Sequence, residues 1–474
     1  MENSIGYIFQ MSQWQTGIVF LYIALSVVAI TLFKKKISND FSKTIIFSIG
    51  LGLIGGISFM LMDMFAPANT IPVDIFNEIV IWHGEADSWL SVIPGIFKSG
   101  MLFFVPLMIF TGIVKVITES GDGKGGQKAF IKSFVSLTLT VTVFAIIGIV
   151  IGFMAYLMPE GHGIFDNIDG DAGGAVETIP GIIGSWIPGS ISIFASTASI
   201  VAVVIAGIFI SVIILMMEKD TEKKKYAKSF KGGVITLKEV IDKSISVIIL
   251  LLPYMIASVI PQLFYGGGMS ESMTILGIFL AMTVIAWGLN VFTMMGVQYA
   301  SLKEKPGVVN YAKTMSKPLS ISFFSASSAV SAPHSTAAMR DLGVSELEAT
   351  MYPSAQTSFG MVGSGGLYQM LLVMTTAILF EQFAATSTEY TFTLDASFYF
   401  MAIVMVVVTS FGVPAIPGGS HAANMAVMIS LGLPVEFFVL TLAIDPITDM
   451  MRTTMNVTST AAVATFMDRF FPTK

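Results

Sequence analysis

Chemistry is concentrated in one late stretch of the chain. Leu442 to Phe466 reads LAIDPITDMMRTTMNVTSTAAVATF and places Asp445, Asp449, Arg452, Thr453, Asn456 and Thr460 among apolar neighbours. Asp449, Arg452, Asn456 and Thr460 fall at i, i+3, i+7 and i+11, one face of a helix. A charge inside a membrane helix costs about 2.5–3.5 kcal/mol on insertion scales, so three in one span demand partners or a water-filled cavity. One reading is an Asp–Arg pair that only ties helices together. The other is a site for a zwitterion: a carboxylate meets an ammonium, the guanidinium a carboxylate, the amide a second carboxylate. Arginines occur only at 340, 452 and 469, and lysine supplies nearly all other positive charge. An arginine in this helix favours the second reading, because its planar fork holds carboxylates bidentately.

The elements that must position this face are interrupted ones. Two Ser/Gly/Pro-broken segments, 319–340 and 409–432, each precede a long apolar helix, the sequence pointer to a transporter site near the bilayer midplane. The first, SISFFSASSAVSAPHSTAAM, carries Ser325, Ser327 and Ser328 before Pro333. It reads as a re-entrant tip offering hydroxyls and backbone to a ligand; the alternative is serines bonded to their own helix. The second, TSFGVPAIPGGSHAANM, cannot be a regular helix through Pro414, Pro417 and Gly418–Gly419. Carbonyls of Ser410, Phe411 and Val413 are candidates for a cation such as Na⁺, and the Gly/Pro turn for a lid. His334 and His421 are either packed histidines or proton-linked groups. Between the segments, Gly360 to Gly366 reads GMVGSGG, which means close helix packing or an unwound helix.

Composition sets the class. The 474 residues are 54% hydrophobic and 12% charged, about half the charged share of a soluble domain. A soluble enzyme, a disordered regulator and a disulfide scaffold are excluded, and no basic stretch suits nucleic acid. Cysteine is absent, which removes thiolate chemistry. No GxxxxGK[ST], HExxH or GxSxG occurs, so neither ATP drive nor a hydrolase elbow is visible and the chain reads as no enzyme. Apolar runs long enough to span lie at 16–33, 43–64, 91–118, 133–158, 190–217, 243–264 and 274–300. Lys34 to Lys36 follow the first run, where a signal peptide would carry charges ahead of it, so an uncleaved span is expected. The loops at 34–43, 115–132, 218–243 and 301–317 hold four, four, eight and four lysines, while 65–90 and 159–188 are acidic. Lysine excess marks the cytoplasmic side, which puts the N-terminus outside, in a multi-pass cell-membrane protein surrounded by lipid.

The order of these features resembles the dicarboxylate/amino acid:cation symporter family. The resemblance runs from Ser320 to Phe466: the serine-rich break, LGVSE, the glycine-broken helix, GVPxxPGG and DPITDMMRTTMNVT. GLYQMLLVM, LGLPVEFF and the lone extra N-terminal span are most similar to its bacterial L-cystine symporter branch. Upstream, FFVPLMIFTGIVKVI fits the same family. The resemblance implies an all-α polytopic membrane protein with the glutamate-transporter-like elevator fold. It would have about eight core transmembrane helices, one extra N-terminal helix and two re-entrant hairpins, assembled as a homotrimer. Residues 1–40 would be the extra helix and 41–300 mainly scaffold, with the third and sixth core helices joining the transport domain of 301–474. The first hairpin falls at 313–343, the broken seventh helix at 345–381, the second hairpin at 395–432 and the eighth helix at 436–466. The C-terminus would be cytoplasmic.

Residue by residue, the resemblance implies Asp449 on the substrate ammonium, Arg452 on a side-chain carboxylate, and Thr453 and Asn456 as further substrate contacts. Ser327 and Ser328 would be the first hairpin tip, Ser364 a group near the side-chain carboxylate, and Ala415, Ile416, Pro417 and Gly418 the lid. Ser358, Ser410, Phe411 and Val413 match a backbone-carbonyl Na⁺ site, and Gln356, Gly360, Asn456 and Thr460 a weakened second one. The family's NMDGT motif is here Gly360–Met361–Val362–Gly363–Ser364, and Thr460 stands where the family has an aspartate. Losing carboxylates lowers affinity for a hard cation, so fewer coupled Na⁺, or H⁺ through Asp445, Asp449 or a histidine, is expected. No cofactor beyond the coupling ion is expected. The substrate expected is L-cystine or another amino acid with a second carboxylate, with glutamate or aspartate as the alternative. A channel and an intramembrane hydrolase are the competing classes.

Overall fold

The computed structural model describes residues 14–38, 41–65, 71–73, 78–80, 82–119, 126–159, 200–262, 264, 269–357, 359–387, 390–411, 413, 415 and 417–472. Helices dominate. In chain order they are α1 (Trp14–Lys36), α2 (Phe41–Phe65), α3 (Trp82–Leu90), α4 (Val92–Glu119), α5 (Gly126–Gly152), α6 (Ile200–Lys219), α7 (Lys224–Ile249), α8 (Leu252–Gln262) and α9 (Met269–Ser301). Then follow α10 (Val308–Ser325), α11 (Ser328–Asp341), α12 (Glu346–Gln356), a π turn (Gly363–Leu367), α13 (Tyr368–Thr386), α14 (Ala396–Thr409), α15 (His421–Ser430), α16 (Glu436–Thr441) and α17 (Asp445–Phe470). The exception to an all-α fold is a ribbon of two antiparallel strands, β1 (Ile71–Val73) and β2 (Glu78–Val80).

Among the described residues seven helices are long and apolar enough to cross a membrane, or eight when α7 and α8, bent by 44°, count as one span. In lipid each backbone donor and acceptor must be satisfied within the protein, which helices do by themselves. Packing sorts the helices into two sets. The first holds α1–α4 and α6–α8: α8 lies on α2, and α4 on both α6 and α7. The second holds α5 and α9–α17, with α17 at its centre, against α5, α9, α10, α11 and α12. The sets meet where α4 packs on α15 and α6 on α14.

Two elements depart from expectation. The lysine-rich segment 218–243, read above as a loop, is mostly helix: α7 begins at Lys224 and runs unbroken to Ile249. Its buried residues Ala227, Val234, Ile241, Ile245 and Ile249 recur at helical spacing, so one face packs while most lysines point outward. Lys238 is the buried exception and bonds Asp242 one turn on, at 2.5 and 2.6 Å. The expected single helix 436–466 is split into α16 and α17 at Leu442–Ile444. Pro446 cannot donate a backbone hydrogen bond, and it falls in the first turn of α17, where none is needed. The acidic segment 159–188 lies outside the described residues beyond Pro159.

Candidate functional site

The polar face of α17 is buried, and its charges bind one another. Arg452 is fully buried at 0% exposure. Its Nη2 lies 2.8 Å from Asp445 Oδ1 and 2.9 Å from Asp449 Oδ1. The guanidinium carbon sits 4.3 Å from the centre of the Tyr368 ring, a cation–π contact from α13. The Nε and Nη1 atoms of Arg452 are buried and have no partner. Leaving such donors unpaired costs about 1–3 kcal/mol each, so this guanidinium has two strong donors waiting for an acceptor. Asp445 opens α17, where a carboxylate complements the helix dipole. Its other oxygen, Oδ2, is 2.8 Å from Nε2 of His421, also fully buried.

The broken segments come to this face as two tips. Helices α10 and α11 pack as a hairpin, and the chain turns between them at Ala326, whose φ of 47° is left-handed. Ser327 caps α11 by accepting from Val330 N, and its hydroxyl donates to the carbonyl of Ala415 at 3.0 Å. Ser328 is buried in the first turn of α11. Helices α14 and α15 pack as the second hairpin. There Gly418, with φ +70°, donates its N–H to Asp449 Oδ2 at 3.0 Å. The second tip thus touches both the first tip and the charged helix. Pro417 is half-buried beside it, and Ile416 lies outside the described residues.

The glycine-rich stretch is an unwound segment against α17. Asn456 Oδ1 accepts from Gly363 N at 2.7 Å and Ser364 N at 3.1 Å, while its Nδ2 donates to Ser364 Oγ at 2.9 Å. A Cβ on Gly363 would stand 2.3 Å from the Arg452 carbonyl, so only glycine admits this approach. Asn456 and Ser364 are brought together, and Asn456 here holds the backbone of the π turn. Thr453 bonds within its own helix, to the Asp449 carbonyl at 2.8 Å.

The candidate cation donors are more dispersed. Ser410 and Val413 are buried and Phe411 half-buried, while Ser358 lies outside the described residues. Ser410 packs where a Cβ on Gly365 would meet it at 2.8 Å. Gly360 has φ +73°. Gln356 Nε2 and Thr460 Oγ1 are buried without partners, and Thr460 is a free oxygen of the type a hard cation accepts. Among the described residues no group of three or more His, Cys, Asp or Glu could hold a metal. His334 is half-buried in α11.

Two positioning residues escaped the sequence reading. Tyr368 supplies the ring under Arg452. Gln369 donates to the Ala423 carbonyl at 2.9 Å and accepts from the Thr409 hydroxyl at 3.2 Å, which ties α13 to both arms of the second hairpin. The signals for either were their place directly after GSGGL and within the stretch GLYQMLLVM.

Buried charges on α17, faced by two hairpin tips, lie within a chain that has seven or eight helices able to cross a membrane among the described residues, which marks a multi-pass membrane protein with a polar site inside it. Comparison with known proteins makes the assignment more specific. The model of the sodium:dicarboxylate symporter family matches residues 41–470, and the chain belongs to that family. An uncharacterized symporter of Haemophilus influenzae is 26% identical over 395 residues, 80% of this chain and 86% of that protein. The L-cystine uptake protein TcyP of Shouchella clausii is 24% identical over 463 residues, covering 95% and 94%. That of Bacillus subtilis is 26% identical over 451 residues, covering 93% and 91%.

Proposed function

We propose that this symporter imports L-cystine, or a related amino acid with a second carboxylate, together with Na⁺ or H⁺. The observation that carries the reading is the fully buried Arg452 with Nε and Nη1 unpaired. A carboxylate there gains two charge-assisted hydrogen bonds in a low-dielectric site. Asp449 takes the substrate ammonium once Gly418 N–H releases its Oδ2. Ser327, Ser328, Ser364, Thr453 and Asn456 orient the rest of the molecule, and Ala415 to Gly418 form the lid. Binding exchanges the Ser327–Ala415 and Gly418–Asp449 bonds for substrate contacts. The names of the cystine uptake relatives support the substrate choice.

In this reading the second helix set, with α5 and α9 included, moves as an elevator against the first, and the first forms the trimer scaffold. The lysine-rich segments face the cytoplasm, with the N-terminus outside and the C-terminus inside. A coupled Na⁺ would be held by backbone carbonyls of Ser358, Ser410, Phe411 and Val413. Gln356, Gly360, Asn456 and Thr460 make a second, weaker set.

Uptake of labelled cystine into proteoliposomes tests this under an inward Na⁺ gradient and then an inward H⁺ gradient. Saturable accumulation above the outside concentration, lost in Asp449→Ala and Arg452→Ala, is the expected result. Unchanged uptake of every amino acid in both variants would refute it. Strict Na⁺-driven uptake of aspartate or glutamate in place of cystine identifies the dicarboxylate alternative.

A further inference from the structure

We infer that His421 is a proton-binding site loaded together with substrate. The inference rests on the substrate-binding reading of Arg452 and Asp449. It starts from a charge count. Two carboxylates, Asp445 and Asp449, share one guanidinium, and the remaining ionisable group bonded to them is the His421 imidazole. With neutral imidazole the buried group carries one negative charge. In the empty site the Gly418 N–H on Asp449 Oδ2 offsets part of that charge.

The partners of each group show where a further positive charge goes. Asp445 accepts from Arg452 through Oδ1 and from His421 through Oδ2. A carboxylate accepts, so His421 Nε2 is the protonated nitrogen and Nδ1 holds the open lone pair. Nδ1 is buried and has no partner. The ring is held edge-on by Phe97 at 5.9 Å and tilted against Phe438 at 5.8 Å, and Gly418 sits against its Cε1 side. Other ionisable groups on the surrounding elements are Tyr368 on α13, stacked under Arg452, and Lys98 on α4, which pairs with Glu436 of α16 at 3.9 Å. None of these bonds His421 in the structure's hydrogen-bond network.

Substrate binding rearranges the pairs. Its second carboxylate draws Arg452, and its ammonium draws Asp449. Asp445 then shares its arginine with a competing carboxylate, and His421 becomes its principal partner. A proton taken from solvent onto Nδ1 gives imidazolium and leaves three neutral pairs, ammonium with Asp449, substrate carboxylate with Arg452 and imidazolium with Asp445, while the other ammonium and carboxylate of cystine add no net charge. Substrate and proton therefore strengthen each other's binding, and linkage makes the effect reciprocal. The same proton returns to solvent on release. His421 opens the lid-side helix α15 and Asp445 opens the substrate helix α17, so the charged pair also clamps the second hairpin closed.

Calorimetric titration of the purified full chain with L-cystine, in two buffers of different ionisation enthalpy, counts the protons taken up. The expected count is about one per cystine, with Kd weakening as pH rises. In His421→Gln, which keeps a donor for Asp445, the count falls to zero and the pH slope flattens. Asp445→Asn, made alongside in case His421→Gln does not fold, removes the carboxylate that receives the imidazolium and gives the same null count. Cystine binding to the wild type with no proton uptake, or full uptake retained in a folded His421→Gln, overturns the proposal. Failure of cystine to bind at any pH refutes the substrate reading instead. L-aspartate is then titrated, and absence of proton uptake with it overturns the proton site as well.

Discussion

Replacing Arg452 by lysine separates charge from fork geometry. Lysine keeps the positive charge, and its single nitrogen can reach Asp445 and Asp449 as Nη2 now does at 2.8 and 2.9 Å. It cannot reproduce Nε and Nη1, the two buried donors that stand unpaired. Two hydrogen bonds to a charged acceptor, at about 1.5–3 kcal/mol each, set the loss at about 3 kcal/mol or more. That corresponds to a factor of about 10² in Kd. Loss of the contact with the Tyr368 ring adds about 0.5–2 kcal/mol. The assay is equilibrium binding of cystine, with serine, which has no second carboxylate, measured in parallel. Arg452→Lys should lose cystine by two orders of magnitude and change serine little, on a protein that still purifies as one folded species. Arg452→Ala should instead destabilise the fold, because Asp445 and Asp449 lose their buried cation, a change worth about 3–5 kcal/mol. Cystine bound by Arg452→Lys within threefold of wild type would falsify the assignment of the fork to a carboxylate.

Other perturbations probe the elements around it. Gly418→Ala places a Cβ 3.0 Å from the His421 ring at φ +70°, a left-handed conformation that costs a non-glycine residue about 1–2 kcal/mol. Cystine affinity should fall about 5- to 30-fold, as read in the same binding assay. Asn456→Ala leaves the N–H groups of Gly363 and Ser364 buried and unpaired. A drop of about 2–4 kcal/mol in stability is expected, seen as an earlier thermal unfolding midpoint, and an unchanged midpoint would refute the bracing role. Ser327→Ala removes both the α11 cap and the link to Ala415. It should cost about 0.5–2 kcal/mol and speed protease cleavage at the tips. Lys132→Ala removes a lysine 13% exposed from its 2.7 Å pair with Glu348 and should lower the unfolding temperature more than Lys303→Ala, which removes a lysine 53% exposed from its 2.7 Å pair with Asp468.

The α17 face was legible because charge in an apolar run is costly and the spacing of Asp449, Arg452 and Asn456 is helical. The two breaks were legible because proline and paired glycines leave a helix few options. Helix α7 was not, since a hydropathy run starts at its apolar end near 243 and ignores the amphipathic half that begins at Lys224. Nor could one sequence pair residues across the chain. Asn456 bonds Gly363, 93 positions away, and His421 bonds Asp445, 24 away, and no local period connects them. Tyr368 and Gln369 look like packing residues until the ring is seen beneath Arg452 and the amide between two helices.

The span Gly363–Thr386 is the least apolar of the seven and the only one whose most apolar window is wholly enclosed by the protein, whereas that of α1 is 22% buried. A helix that never meets lipid needs little lipid affinity of its own. Helix α17, with Asp445, Asp449 and Arg452, has less still, and each of those charges opposes insertion by about 2.5–3.5 kcal/mol. Biogenesis is thereby ordered. The strongly apolar helices can enter the bilayer singly as they are synthesised, but the carboxyl-terminal elements must enter with neighbours already present to neutralise and enclose them. A chain halted during synthesis before α17 would present the glycine turn and both tips with nothing to close against.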